Sequence, residues 1–272
     1  MIDSPNYLIN GRSDNHLSPM DRGLSYGDGV FRTFIVSSGV PRNWELQYKK
    51  LFEDCSSLGI ICPFDDLLLQ DISHLFENEV EAIAKIIVTR GQSQRGYALP
   101  TVANPNRVLI KYPMPRYPIN NFKDGVSLHI CDLKLGHQAK LAGIKHLNRL
   151  ENVLARMEWN NEDYADGLLM DTKGYVIECT MSNIFARYGE TLMTPDLSDC
   201  GVAGITRQRI LDLAKSLGYN PVVRPITLME LMEADEVIIC NSLFGVWQVR
   251  SIDIRKWSNL LLAPTLRVAL GY

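Results

Sequence analysis

Lys145 is the first residue whose type and position suggest chemistry. It follows Gly143 closely and lies at the start of a helix-patterned run within LAGIKHLNRLENVLAR. Apolar residues recur there at steps of three and four, so one helix face is predicted to be apolar: Leu147, Leu150, Leu154 and Met157. An amine beside packed apolar side chains loses hydration, which favours the neutral form that attacks carbonyl carbons. A solvated lysine at an ordinary helix start would show the same pattern.

Glu178 is a carboxylate inside an apolar strand pattern, YVIEC. Strand alternation places it on the same face as Val176. A carboxylate in such a strand is destabilising by several kcal/mol unless something pairs with it. A cationic heterocyclic nitrogen is one candidate partner. An arginine elsewhere in the core, or solvent at an edge strand, are the alternatives.

Two segments have the composition of phosphate-binding sites. The first, GVAGITR at 201–207, leads into a helix pattern, so backbone N–H groups, the helix dipole and the Thr206 hydroxyl could meet an anion. Plain capping by Gly204, with Thr206 in the first turn of the helix, also explains these residues and is the commoner role of such a glycine. In the second, Asn241 and Ser242 follow the buried strand pattern EVIIC, where polar side chains either contact a ligand or simply begin a loop.

The glycine-containing turn VTRGQSQRGY carries two arginines and a phenol, Arg90, Arg95 and Tyr97. The planar guanidinium fork matches carboxylate geometry, so the turn suits a ligand that bears carboxylates. Surface turns also carry arginines for solubility, and that alternative stays open.

The elements that must position these residues fall into two parts of an α+β chain. The first part has predicted strands at 7–10, 30–36, 81–90 and 107–112, and predicted helices at 45–58, ended by Gly59, and at 64–78. Three prolines between positions 113 and 118 exclude a helix or a central strand there. We therefore predict a small N-terminal domain over 1–115, a linker over 116–124 and a larger C-terminal domain over 125–272.

The larger part is predicted to open with a strand at 126–133. The Lys145 helix then runs to about residue 163. Further along are predicted hairpins at 167–179 and 183–194, a helix at 205–217, a short strand at 222–225, a short helix at 228–233, a buried strand at 236–241 and a weakly helical tail at 260–270.

Composition excludes several classes of protein. A net charge of −3 over 272 residues, without a long basic run, gives no field for nucleic acid. No signal-peptide layout and no apolar run near the roughly 20 residues of a membrane span are present. Six scattered cysteines without a CxxC pair, and five histidines without metal spacing, predict reduced thiols, no metal site and a cytoplasmic protein. The sequence contains no GxxxxGK[ST] loop, and neither a GxSxG elbow nor a GxGxxG pattern follows a predicted strand.

Together, an amine, a buried carboxylate, two phosphate segments and an arginine turn are what pyridoxal phosphate requires. The chain also resembles the fold-type IV pyridoxal-phosphate enzymes, and within them the aminodeoxychorismate lyases. The matching motifs run along nearly the whole chain: YLING, DRGLSYGDGVFRTFIV, VTRGQSQRGY, LAGIKHLNRLENVLAR, YVIECTMSNIF, GVAGITR and ADEVIICNSL. The resemblance implies a two-domain fold, with a small N-terminal α/β domain and a larger C-terminal β-barrel-like domain with helices.

The resemblance also implies roles for individual residues. Lys145 is the expected attachment point and proton carrier, Thr33 a second catalytic residue, and Glu178 the partner of the pyridine nitrogen. The remaining cofactor-binding residues are expected to be Lys50, Ile205, Thr206, Asn241 and Ser242, and the substrate-binding residues Arg95, Tyr97 and Asn241. Lys50 stands where the family usually has the arginine of an HxxRL pattern, and Gln47 stands at its histidine. A lysine binds phosphate as a point charge without the bidentate fork.

The implied function is a lyase of folate biosynthesis that converts 4-amino-4-deoxychorismate to 4-aminobenzoate and pyruvate. The alternatives are an aminotransferase of the same fold, acting on D-amino or branched-chain amino acids, and a non-catalytic protein that binds the cofactor. The family further implies a homodimer with its site near the subunit interface. Aminodeoxychorismate synthase is a possible metabolic neighbour.

Overall fold

A computed structural model describes residues 6–77, 79–160, 163–259 and 261–272. The chain forms two compact units. The first extends to Pro115 and includes Ile144–Asn148, and the second contains Arg116–Gly143 and Arg149–Tyr272. The domain bounds inferred from the sequence stay a prediction. The short segment around Lys145 departs from them, because its backbone pairs with a strand of the first unit.

The first unit is built on a five-stranded antiparallel sheet. Its strands in chain order are β1 (Tyr7–Ile9), β2 (Gly29–Ser37), β3 (Val40–Pro41), β4 (Glu81–Thr89) and β5 (Asn106–Tyr112). They lie in the order β1-β5-β4-β2-β3. Alternation along β2 buries Val30 and Phe34 in the core of the unit, and turns Phe31 and Thr33 to the other face of the sheet.

Three helices accompany this sheet: α1 (Arg22–Tyr26), α2 (Trp44–Ser57) and α3 (Asp65–Leu75). Leu51 and Cys55 of α2, and Leu68 of α3, are buried in the same hydrophobic cluster. Gly59 follows α2 with φ of 63°, a left-handed conformation that favours glycine and ends the helix as predicted. The predicted end of the second helix falls on residue 78, which lies outside the described residues.

The second unit is built on a ten-stranded mixed sheet. Its strands are β6 (Val126–Leu135), β7 (Tyr164–Asp171), β8 (Tyr175–Cys179), β9 (Asn183–Tyr188), β10 (Thr191–Thr194), β11 (Asn220–Val223), β12 (Ile226–Thr227), β13 (Glu236–Asn241), β14 (Gly245–Ile252) and β15 (Arg255–Lys256). They lie in the order β11-β10-β9-β13-β14-β6-β7-β8-β12, and β15 pairs with β14. The central strand β13 is buried over five of its six residues, as its apolar sequence predicts.

The helices of this unit are α4 (Asn120–Lys123), α5 (Leu150–Arg156), α6 (Ile205–Ala214), α7 (Leu228–Glu233) and α8 (Leu262–Leu270). A 3-10 turn over Lys215–Leu217 follows α6. Helix α8 packs its buried leucines against a cluster that includes Phe185 and Ile210. The start predicted for this last helix, residue 260, lies outside the described residues. Residues 113–118 contain neither helix nor strand, as their three prolines predict, and the single helical turn α4 follows them within the predicted linker.

The helix predicted to run from Lys145 to about residue 163 is shorter than expected. Helix α5 begins at Leu150 and ends at Arg156. Its predicted apolar face is also not buried in this chain, since Leu150, Leu154 and Met157 are 47–69% exposed. Only Ala155 of α5 is buried, in the cluster beside Trp159. No helix within the described ranges is long and apolar enough to cross a membrane.

Candidate active site

Lys145 lies in an extended segment of the first unit and not at the mouth of a helix. Phe31 N donates to Lys145 O over 2.9 Å, and Leu147 N donates to Gly29 O over 3.0 Å. These bonds continue the sheet beyond β2. Position 29 requires a glycine, because a Cβ there would lie 2.6 Å from the backbone carbonyl oxygen of Val88 and 2.7 Å from the Leu147 side chain. The helical periodicity was therefore misleading at this point: a non-local strand pairing determines the backbone of Lys145.

The Lys145 side chain lies over an aromatic ring of β2. Its Nζ atom is 4.6 Å from the centroid of the Phe31 ring, and Lys85 Nζ is 5.1 Å from the same centroid. The quadrupole of the ring attracts such cations. Thr33 pairs in register with Lys85 of β4, and it follows Phe31 by two residues on the same face. Lys145, Thr33 and Lys85 thus share one face of the sheet.

Lys85 is a residue that sequence reasoning missed. It is the one cation within AIAKIIV, an otherwise apolar strand sequence. As a charge inside an apolar strand, Lys85 has the same sequence signature as Glu178. Alternation turns Lys85 away from the buried neighbours Ala84 and Ile86.

A charge triad lies on the opposite side of this sheet. Asp54 of α2 is buried and forms ion pairs with Arg32 of β2 and with Lys50, one helical turn earlier. Its Oδ2 atom also accepts a bond of 3.3 Å from the backbone N–H of Lys145. Burial lowers the pKa of Arg32, and the charge of Asp54 opposes that shift. Lys50 is thus paired with a carboxylate, and its role toward a phosphate stays a prediction.

The three residues of the arginine turn have different environments. Arg90 is buried and donates to Asp28 over 2.7 and 3.0 Å and to the carbonyls of Leu58 and Gly59 over 2.7 Å, so it stabilises the fold. Arg95 and Tyr97 are exposed in this chain, Tyr97 at 84%. Their contacts with substrate stay a prediction.

Glu178 belongs to the second unit and is 4% exposed on β8. Its Oε2 atom accepts a bond of 2.9 Å from the backbone N–H of Val202. A backbone group is thus one partner of this carboxylate. The contact also joins Glu178 to the loop that precedes α6.

That loop is held by a side chain that the sequence reasoning did not single out, Asn183. Its Nδ2 atom donates to Val202 O over 2.8 Å, and its Oδ1 atom accepts from Gly204 N over 3.1 Å. We call this pair of hydrogen bonds the Asn183 clamp. A Cβ at position 204 would lie 2.2 Å from Asn183 Oδ1, so the clamp also requires the glycine. On the other side of the loop, Gly143 N donates to Gly201 O over 2.9 Å.

Helix α6 begins directly after this clamped loop. Gly204 is its N-cap, and no side chain within the described ranges caps it. Because the first N–H groups of a helix have no intrahelical partner, this end suits an anion. Ile205 and the hydroxyl-bearing Thr206 are both buried there. Capping by Gly204 and anion binding are therefore compatible, since glycine supplies no competing acceptor.

Asn241 and Ser242 follow β13 as predicted, and the Asn241 side chain is used within the protein. Its Oδ1 atom accepts from Leu243 N and Phe244 N over 2.9 and 3.0 Å, and its Nδ2 atom donates to Met181 O over 3.2 Å. The side chain fixes the turn that contains Ser242. A ligand could meet the amide nitrogen, because the amide oxygen serves the turn.

Each unit contains groups that suit pyridoxal phosphate. An uncapped helix N-terminus with a threonine in its first turn suits a phosphate, and a buried carboxylate suits a basic ring nitrogen. The first unit supplies an amine on a sheet face, Lys145. No group of three or more His, Cys, Asp or Glu residues in the described parts of the chain could hold a metal ion.

Comparisons with known proteins add independent observations. The family model "Amino-transferase class IV" matches residues 29–252. An aminodeoxychorismate lyase of Vibrio harveyi is 36% identical over 250 residues, 91% of each chain. A putative branched-chain-amino-acid aminotransferase of Methanocaldococcus jannaschii is 31% identical over 92% of this chain and 89% of its own length. The crystal structure of 4-amino-4-deoxychorismate lyase from Pseudomonas aeruginosa is 42% identical, with a TM-score of 0.92 over 97% of both chains. These likenesses confirm the predicted fold class.

Proposed function

Because this chain belongs to the class IV amino-transferase family, we propose that it is a lyase that converts 4-amino-4-deoxychorismate to 4-aminobenzoate and pyruvate. The observation that carries the proposal is identity of 36% and 42% to two lyases of this name, in each case over at least 91% of both chains. The donor set of the two units supports it, since it supplies a nucleophilic amine, a buried carboxylate and an anion site.

The cofactor of this reaction is pyridoxal 5′-phosphate, which supplies an electrophilic carbon for an amine and a ring that withdraws electrons. Lys145 would hold it covalently, Glu178 would bind its ring nitrogen, and the start of α6 with Thr206 would bind its phosphate. Ser242 and Lys50 are the further phosphate ligands in this proposal.

The residues of this chain then transfer protons and orient the substrate. Lys145 Nζ, once the 4-amino group of the substrate has taken its place on the cofactor, would be a free amine that takes the proton from C4 of the substrate ring. The C3–O bond breaks, the enolpyruvyl group leaves and becomes pyruvate, and the ring becomes aromatic. Thr33 lies on the same sheet face as Lys145, so its hydroxyl is the candidate that delivers a proton to the departing group. The Phe31 ring stabilises Lys145 as an ammonium ion after it has taken the proton.

The substrate carries two carboxylates, and the chain offers several cations and donors for them. Arg95, Tyr97 and Asn241 are the proposed binders. Lys85 is added to them because its ammonium lies over Phe31, on the face that carries Lys145. A cation there favours a carboxylate near the reacting carbon.

One assay tests the proposal. The purified protein with its cofactor is given aminodeoxychorismate, and 4-aminobenzoate and pyruvate are measured. We expect the two products in equal amounts, and their loss in Lys145→Ala. A second reaction contains an amino acid and 2-oxoglutarate. Keto-acid formation without aminobenzoate would contradict the proposal and support an aminotransferase, the candidate that the 31% identical M. jannaschii relative favours.

We also propose that the protein is a cytoplasmic homodimer in folate biosynthesis, with aminodeoxychorismate synthase as a metabolic neighbour. The exposed apolar face of α5 supports a second copy as its cover, since Leu150, Val153, Leu154 and Met157 together leave a hydrophobic stripe in water. Six free cysteines are compatible with a reducing compartment. Light scattering should give twice the chain mass of 30.7 kDa, and a mass of one chain would contradict the dimer.

A further inference from the structure

Arg22 is an arginine in an unusual position, because its side chain is almost completely buried. It begins α1, a five-residue helix whose N-cap Asp21 accepts a bond from Gly23 N. Arg22 is 4% exposed, although arginines rarely lie inside a protein without fixed partners. Neither the predicted roles nor the proposed mechanism uses it.

The guanidinium of Arg22 is bound to one short segment, residues 93–98. Its Nη1 atom donates to the Ser93 hydroxyl over 3.0 Å and to the carbonyls of Gly96 and Ala98 over 3.2 and 3.3 Å. Its Nη2 atom donates to Tyr97 O over 3.3 Å. One planar group with five N–H donors therefore collects four acceptors from six consecutive residues.

Two neighbours keep this guanidinium in place. Asp28 accepts from Arg22 Nε over 2.8 Å and is itself fixed by Arg90. Tyr26 lies beneath the guanidinium, with its ring centroid 5.0 Å from the Arg22 Cζ atom. The Tyr26 hydroxyl accepts from Gly96 N over 3.2 Å, and its ring is 5.3 Å from that of Tyr97.

The backbone and the side chains of segment 93–98 have opposite environments. Its carbonyls converge on Arg22, whereas Arg95 and Tyr97 project into solvent. The directions of these two side chains are set by the backbone that Arg22 holds. No strand or helix is present in the segment to hold it instead.

We infer that Arg22 is a positioning residue for substrate affinity, which holds the segment that presents Arg95 and Tyr97 to a substrate carboxylate. The inference rests on the proposed function for the identity of the substrate, but the hold itself is independent of the reaction. If Arg22 acts in this way, its loss raises the KM for the substrate and leaves kcat nearly unchanged, because carboxylate binding by the segment stabilises ground state and transition state alike.

The test compares Arg22→Gln and Arg22→Lys with the unaltered holoenzyme. Arg22→Gln removes the positive charge. Arg22→Lys keeps a positive charge beside Asp28 but removes the planar guanidinium with its several N–H donors. We expect KM for aminodeoxychorismate to rise about tenfold in both variants, with kcat within about twofold. A tenfold rise is the size expected when the substrate loses its contacts with one binding segment. Amide hydrogen exchange should quicken over residues 93–98. Unchanged KM together with unchanged exchange in Arg22→Gln would overturn the inference.

Two further variants keep the test decisive if Arg22→Gln folds poorly. Tyr26→Phe keeps the ring beneath Arg22 but removes the acceptor of Gly96 N, so only exchange of that amide should quicken. Arg12→Gln is the matched control, since Arg12 pairs with Asp14 at the surface and should leave KM and segment exchange unchanged. Quickened exchange without a change in KM would overturn the role in affinity.

The hydrogen-exchange arm separates this inference from the proposed function. If the unaltered protein forms no aminobenzoate, the proposed function fails, and exchange over residues 93–98 still shows whether Arg22 holds the segment. If the unaltered protein is a lyase and Arg22→Gln is indistinguishable from it, the inference about Arg22 fails alone.

Discussion

Replacing Asp54 by asparagine should destabilise the protein strongly, because Asp54 is the counter-charge of a buried arginine. Arg32 and Asp54 are 3% and 1% exposed, and they form a direct ion pair. Arg32 Nε already has no hydrogen-bond partner among the described residues, so few other acceptors can replace the lost carboxylate. Lys50, the second cation on Asp54, would also lose its ion pair.

The magnitude follows from the burial of the pair. Leaving one buried charge without its partner costs about 3–5 kcal/mol. Since 1 kcal/mol lowers the unfolding midpoint of a chain of this size by roughly 2–4 °C, Asp54→Asn should lower the midpoint by about 10 °C. Differential scanning calorimetry on the variant and the unaltered protein measures this directly.

A double variant and a surface variant complete the experiment. Arg32→Leu with Asp54→Leu removes both charges and should recover much of the loss, because an apolar pair of similar volume often replaces a buried ion pair without cost. Asp14→Asn breaks a pair in which both side chains are about 70% exposed, and its midpoint should not change. A drop of less than about 2 °C in Asp54→Asn would contradict the role of Asp54 as the counter-charge, since it would mean that water solvates Arg32 in the folded protein.

The other predictions concern the residues of the second unit that are proposed to bind the cofactor, and the hydrogen bonds around Arg22. Glu178→Gln should weaken cofactor binding by about 10- to 100-fold in an absorbance titration, the value of a hydrogen bond to a charged group, and equal affinity would exclude Glu178 as the ring partner. Asn183→Ala leaves two backbone groups of the loop before α6 without their side-chain partner, so the apo-protein should bind inorganic phosphate about tenfold more weakly, and unchanged binding would contradict the clamp. Burial alone would raise the pKa of Asp28, but hydrogen bonds from Arg90 and Arg22 outweigh it and hold the pKa below its usual range. The stability from Asp28 is therefore present above the ordinary carboxylate pKa of about 3.9 and is lost as the pH falls below it. Protection of the amides over residues 93–98, taken relative to the intrinsic exchange rate at each pH, should therefore fall only in acid, and a loss of protection near neutral pH would contradict this.

Local patterns predicted the elements of the first unit closely. Helix α2 was expected over 45–58 and spans Trp44–Ser57, and β4 was expected over 81–90 and spans Glu81–Thr89. Both depend on short-range periodicity and on a glycine that ends the helix, which a sequence displays directly. The apolar run of β13 also predicts a buried strand directly, because a strand buried on both faces contains few polar residues.

The segment around Lys145 shows why local patterns fail at the site. Leucines at helical spacing predicted a helix from position 145, but the backbone there pairs with Gly29 and Phe31, more than a hundred residues earlier. Nothing in a local window reports such a pairing. The leucine spacing also predicts an apolar helix face, and in this chain Leu150 and Leu154 of that face are exposed.

The site residues also differ in whether a local sequence pattern reveals them. Glu178 stood out in the sequence because a charge in an apolar strand needs a partner, and the structure supplies the Val202 N–H. Asn183 and Arg22 did not stand out, because their importance depends on backbone groups that come from distant parts of the chain. A side chain that binds backbone carbonyls leaves no motif of its own.

The central claim is that Lys145 carries the cofactor. Borohydride reduction of the holoenzyme followed by peptide mapping tests it most directly, because reduction fixes the cofactor to the amine that holds it. We expect a single modified peptide, with the added mass on Lys145. A mass on any other lysine, or no modified peptide from protein that contains the cofactor, would contradict it.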